Sequence, residues 1–225
     1  MKPGANLLTK SENGSFEDVR SWLWKLSPEG KELVKADLGN ISGTQKPYQA
    51  IAADKDGRIY LAQWKGTEKS QRILVLNEDC SLAGSIICDD GDIRGLGRAR
   101  NGEVYGVLMA GHEWIPTVVG FDVQNCTIDE KYSNVLPADV GAFDTIGAGT
   151  DSDLLIWGPY GIYTYNIGDE KAVSTRAQYE LPNGAAICFI PGGRALFISN
   201  NYAVKDGVID FDNYRLEKIY LMKAE

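Results

Sequence analysis

The chain has 225 residues, 44% of them apolar and 10% aromatic, which is enough to fill the core of one all-β domain spanning residues 1–225. Its 31 acidic and 23 basic side chains leave a net charge of −8, excluding nucleic acid as the natural partner because phosphate recognition needs clustered Lys and Arg. No apolar run approaches the ~18 residues that cross a bilayer, and Met1 to Ser15 carries no apolar stretch of the signal-peptide kind. The chain is expected in the cytoplasm, or secreted with a leader already removed.

Read in order, the chain repeats one pattern five times: apolar strand, Gly turn, apolar strand, loop, and a hairpin closed by polar residues. The repeats fall at about residues 5–40, 47–88, 93–134, 142–180 and 184–222. The first opens with an inner strand at Asn6 to Thr9 and carries a third strand at 22–26 (WLWKL). The second is clearest: an inner strand from Gln49 to Ala53, an Asp56-Gly57 turn, Arg58 to Gln63, Arg72 to Leu76, and an outer edge from Leu82 to Cys88. Asp-Gly between apolar runs is a tight hairpin signal. Third strands follow at 118–122, 162–166 and 208–212, and the last repeat finishes on an outer strand from Glu217 to Met222.

Superposing the second strands aligns Gly14, Gly57, Gly102, Ser152 and Gly193, at spacings of 43, 45, 50 and 41 residues. A period of ~40 to 50 residues with four strands per unit predicts a β-propeller of five four-stranded blades, six short blades being the other solution. Alternation gives each strand two largely apolar faces, one for each neighbouring blade. Leu74, Leu76, Ile162, Tyr163 and Phe211 are therefore expected in the core, with little helix anywhere.

The second repeat resembles the NHL and SMP-30-like superfamily of β-propeller repeats. The resemblance rests on Pro47, Asp54, Asp56, Gly57, Ile59 and Tyr60, echoed at Asn101, Gly102, Val104 and Tyr105, and again at Gly193, Ala195 and Leu196. It implies the fold far more than a chemistry. The gluconolactonases of that superfamily usually have six blades and a longer chain, and use Ca²⁺ to polarise a carbonyl and activate water; Asp92 and Asp144 are the residues here that would serve such a metal.

In a propeller, the loops entering the inner strands and those joining second to third strands converge on one face. That places Tyr48, Gln49, Trp64, Arg94, His112, Trp114, Asp144, Tyr160, Asn200 and Tyr202 around one opening. Rigid aromatic rings there offer stacking surfaces, and the amides offer hydrogen bonds. Several of these rings would serve equally well as packing between blades. The Asp89-Asp90-Gly91-Asp92 run is likewise an ordinary solvated turn as readily as a cation site.

Catalysis has little support. His112 is the lone histidine, no Gly-x-Ser-x-Gly elbow exists, and the four cysteines form no zinc motif. Cys80 and Cys126 occupy equivalent hairpins of adjacent repeats, too far apart for the ~5.5 Å between Cα atoms that a disulfide needs. Free thiols point to a reducing compartment. The residues favour a non-catalytic binding propeller, without a cofactor, that captures a small molecule, glycan or peptide. The alternative is a Ca²⁺-dependent lactonase, hydrolase or lyase of the SMP-30-like kind.

Overall fold

Short alternating stretches punctuated by Gly and Asx turns extend the chain into antiparallel strands, and the computed structural model resolves these into five open meanders. The structure describes residues 4–11, 19–89, 91–110, 115–135, 145–149, 152–158, 161–167, 174–177, 186–190, 194–205 and 208–223; side chains are described at 20–89, 91–109, 116–129, 146–149, 152–157 and 163–167.

The first sheet is β1 (Gly4–Ser11), β2 (Val19–Leu26) and β3 (Glu32–Asp37). A single helical turn, α1 (Leu38–Ser42), leads to β4 (Tyr48–Ala53), β5 (Ile59–Gln63), β6 (Gln71–Leu76) and β7 (Leu82–Cys88). The third sheet is β8 (Gly91–Arg98), β9 (Val104–Ala110), β10 (Ile115–Asp122) and β11 (Thr127–Val135). The fourth comprises β12 (Thr145–Gly147), β13 (Leu154–Gly158), β14 (Gly161–Tyr165) and β15 (Ser174–Ala177). The fifth comprises β16 (Ala186–Ile190), β17 (Arg194–Lys205) and β18 (Val208–Lys223). Strand order follows chain order throughout, and the first strands form a row, with β1 against β4, β4 against β8, β8 against β12 and β12 against β16.

Helix α1 exists because both its ends are closed. Asp37 caps it by accepting from the amides of Gly39 and Asn40, and Gly43 ends it in the left-handed region at φ 72°. Leu38, fully buried, anchors the turn under the first sheet.

Packing follows the period of two. In the second sheet Leu61, Leu74 and Leu76 face Leu23 and Leu38, while Tyr60, Ala62, Ile73 and Val75 face Ile93, Val104, Leu108 and Val119 of the third. Tyr105, Val107 and Val118 turn the other way, onto Ile146, Leu154, Ile156 and Tyr163 of the fourth. Leu74, Leu76 and Tyr163 are buried as expected, whereas the side chains of Ile162 and Phe211 lie outside the described residues. Fully burying one such aliphatic side chain contributes about 1.5 to 3 kcal/mol. The sheets also come close: a Cβ on Gly97 of β8 would run into the carbonyl oxygen of Ile146 of β12.

The turns repeat as closely as the strands. Gly57 and Gly102 sit at φ 89° and 88°, and each donates its amide to the residue three back, Asp54 and Ala99. Only a residue tolerant of positive φ closes this turn cheaply. Neighbouring turns are tied by backbone bonds, Lys55 to the Gly102 carbonyl at 2.7 Å and Arg100 to that of Asp153 at 3.0 Å. Gly14 and Gly193 lie outside the described residues.

The first and last sheets differ from the expected four strands. WLWKL at 22–26 belongs to the second strand, β2, which pairs directly with β1. Residues 208–223 form one long strand, paired with β17 from Arg194↔Lys223 to Lys205↔Val208 and broken by two register shifts. Asp-Gly at 206–207 is itself a tight-hairpin signal in the sequence.

Candidate functional site

Two first strands carry an extra residue at the same place. Pairing of β4 with β5 passes from Tyr48↔Gln63 to Ala50↔Ala62, leaving Gln49 over; pairing of β8 with β9 passes from Ile93↔Leu108 to Gly95↔Val107, leaving Arg94 over. A bulge bends its strand and re-aims the extra side chain. Because β4 lies against β8, the two re-aimed side chains converge. Gln49 Nε2 donates to Asp92 Oδ1 at 2.8 Å and to the Ile93 carbonyl at 2.6 Å. Arg94 Nε lies 2.8 Å from Asp92 Oδ2, close enough for an ion pair although off the line of a hydrogen bond.

A bulge also disturbs ladder hydrogen bonding, and buried backbone groups need replacement partners. Gln71, at the start of β6 and almost wholly buried, supplies them: its Oε1 accepts from the Ile93 amide at 2.6 Å, and its Nε2 donates to the carbonyls of Gln63 (2.8 Å) and Ile93 (3.2 Å). Sequence reasoning missed Gln71. The only signal was a polar residue heading an otherwise apolar strand, and that is common at strand ends.

Around this network the predicted residues separate by depth. Tyr48 is buried, its hydroxyl accepting from Gln63 Nε2 at 3.0 Å; burial pushes its phenol above the ordinary value, against the hydrogen bonds of Ser42 and Gln63 and the charge of Arg72. Trp64 follows β5 directly and is 40% exposed, with its ring resting on Gly66. Lys65 Nζ reaches the Gly91 carbonyl at 2.8 Å, and Lys46 pairs with Glu68. Gln49, Asp92, Arg94, Trp64 and Lys65 thus share one rim. His112, Trp114, Asp144 and Tyr160 lie outside the described residues. Asn200 and Tyr202 fall within β17 rather than a loop, Tyr202 at a register shift, and their side chains are outside the described set.

The calcium expectation meets an obstacle at Asp92. Both of its oxygens are engaged, one by Gln49 and one by Arg94, so a cation would have to displace one of them. Among the described residues no three His, Cys, Asp or Glu side chains converge as metal ligands.

A cleft of about 350 Å³ opens at the opposite end, between the turns of the second and third sheets, lined by Asp54, Arg58, Tyr60, Glu103, Phe121 and Asp122 among others. Its polar groups serve the fold. Asp54 Oδ1 accepts from the amides of Asp56 and Arg58, Asp122 Oδ1 from those of Gln124 and Asn125, and Glu103 pairs with Lys55. Tyr60 stacks at 5.8 Å from Phe121, and burial, reinforced by Asp54, pushes its phenol up to about 12. The rim, by contrast, holds the side chains that no turn requires.

No known protein family and no curated protein matches the chain. Solved structures do. A Bacteroides caccae protein of unknown function superposes with a TM-score of 0.53 at 11% identity over 92% of this chain and 72% of its own. A luciferin-regenerating enzyme, of propeller-like fold, gives 0.58 at 12% identity over 85% of this chain and 69% of its own. A puromycin hydrolase variant gives 0.51 at 10% identity over 88% of this chain, which spans 32% of that protein. At such identities the likeness concerns the fold alone.

Proposed function

We propose that the five meanders close into a single five-bladed propeller that binds a small molecule, glycan or peptide at the rim where the first strands begin. The observation that carries this reading is the matched pair of bulges at Gln49 and Arg94. Strand register is costly to break, because each shift disturbs buried hydrogen bonds and flips the downstream side chains. Register shifts occur in all five sheets, but in the first strands they fall at equivalent places in two adjacent sheets, and the polar side chains so released meet at Asp92, on the edge that also carries the exposed Trp64. The propeller-like neighbours support the ring, and the five sheets with their row of first strands support the count of five.

The test is a fragment screen by ligand-observed NMR on the full chain, repeated on Trp64→Ala. A binding rim predicts hits weakened by about 5- to 150-fold in the variant, the size of a lost aromatic hot-spot contact of about 1 to 3 kcal/mol. Its melting temperature should move little, since Trp64 is substantially exposed. Hits that bind Trp64→Ala and Arg94→Ala as well as the parent chain would overturn the assignment.

A further inference from the structure

We infer that the ligand of this rim ends in a carboxylate or a phosphate, received by Arg94, with Asp92 and Gln49 as positioning residues. This rests on the binding reading above and names its substrate class. Three observations carry it. Along β8 every residue from Gly91 to Gly97 is buried except Arg94, whose side chain keeps 37% of its surface. Within the buried stretch of this first strand, Arg94 is thus the one large cation turned outward, in a chain whose net charge is −8.

Secondly, the pairing with Asp92 is one-sided in exposure. The carboxylate is only 8% exposed, fixed from the far side by Gln49, and touches Arg94 through Nε. The contact anchors the Nε edge of a planar guanidinium, the group suited to two-point recognition of carboxylates and phosphates. Asp92 does not itself present a face to a ligand. It aims Arg94, and Gln49 aims Asp92. Thirdly, Lys65 brings a second cation to the same rim through its bond to the Gly91 carbonyl, one residue along the chain from the exposed Trp64. A flat apolar body with an anionic end matches that sequence of groups.

The probes are benzoate and phenyl phosphate, set against benzamide, which keeps the planar shape of benzoate without its charge. Titration of the full chain by ligand-observed NMR should show the two anions binding about 10- to 100-fold more tightly than benzamide, the range expected for a charge-assisted hydrogen bond. Arg94→Gln should abolish that preference while leaving benzamide unaffected, and Arg94→Lys should restore only part of it. Asp92→Asn should weaken the anions and spare benzamide, a split that mere loss of stability would not produce. Equal binding of benzoate and benzamide, both weakened by Trp64→Ala, would overturn the anionic class and leave the rim standing. Binding of all three that ignores Trp64 and Arg94 would overturn both, as would no binding of any probe up to about 10 mM, a limit well above the millimolar affinity expected of such small probes.

Discussion

Gln49 holds Asp92 from the neighbouring sheet, amide nitrogen to carboxylate oxygen at 2.8 Å across 43 positions of sequence. The contact ties the bulge of one sheet to the first strand of the next. Stability and site geometry therefore meet in one carboxylate.

Asp92→Asn tests the structural half. The substituted amide keeps the shape but removes the charge that pairs with Arg94, and with its NH₂ turned to Gln49 it leaves the Gln49 Nε2 donor without that acceptor. A cost of about 1 to 3 kcal/mol is expected in urea denaturation. A loss under ~0.5 kcal/mol would mean the pair adds nothing to folding.

Leu74→Ala reports on the packing between the first two sheets. The side chain is 1% exposed and faces Leu23, Leu38 and Leu61. The truncation should cost about 2 to 5 kcal/mol, depending on how far the cavity collapses.

Gly97→Ala is expected to harm the fold for the opposite reason. The added methyl would run into the Ile146 carbonyl, a backbone atom that cannot rotate away. Overpacking of about 1 to 3 kcal/mol should appear as a lowered melting temperature. An unchanged melting temperature would show that β8 and β12 do not approach as closely as described.

Tyr60 gives a pH signature. Burial first, then Asp54, raises its phenol to about 12. A folded-state value above the unfolded one of about 10 means that the native state holds the proton longer, so this contribution is complete below pH ~10 and is lost as pH rises towards ~12. Tyr60→Phe should therefore flatten the alkaline arm of the stability curve. An identical arm in the variant would refute the assignment.

Among Cys80, Cys88 and Cys126, only Cys126 is exposed, and burial raises the Cys80 thiol above its ordinary value in spite of Lys25. Brief alkylation at pH 8 followed by peptide mapping should label Cys126 well before the other two. Faster labelling of Cys80 or Cys88 would contradict the packing around them.

The sequence by itself determined the modular plan. Gly57 and Gly102 mark equivalent turns because that turn demands positive φ, a local requirement that Gly meets without help from the rest of the chain. The two-sided apolar strands fixed which residues are core, since a period of two assigns faces without knowledge of the partner. Tertiary structure decided what local pattern does not encode. Whether 22–26 is a second or third strand depends on which strand β1 meets, and the fusion of residues 208–223 depends on pairing with β17. The rim is of the same kind. Gln49 and Arg94 were legible as candidates, but their role as bulge residues, the buried service of Gln71 and the engagement of both Asp92 oxygens arise from register between distant strands. Register is a property of the pair, and no single strand carries it.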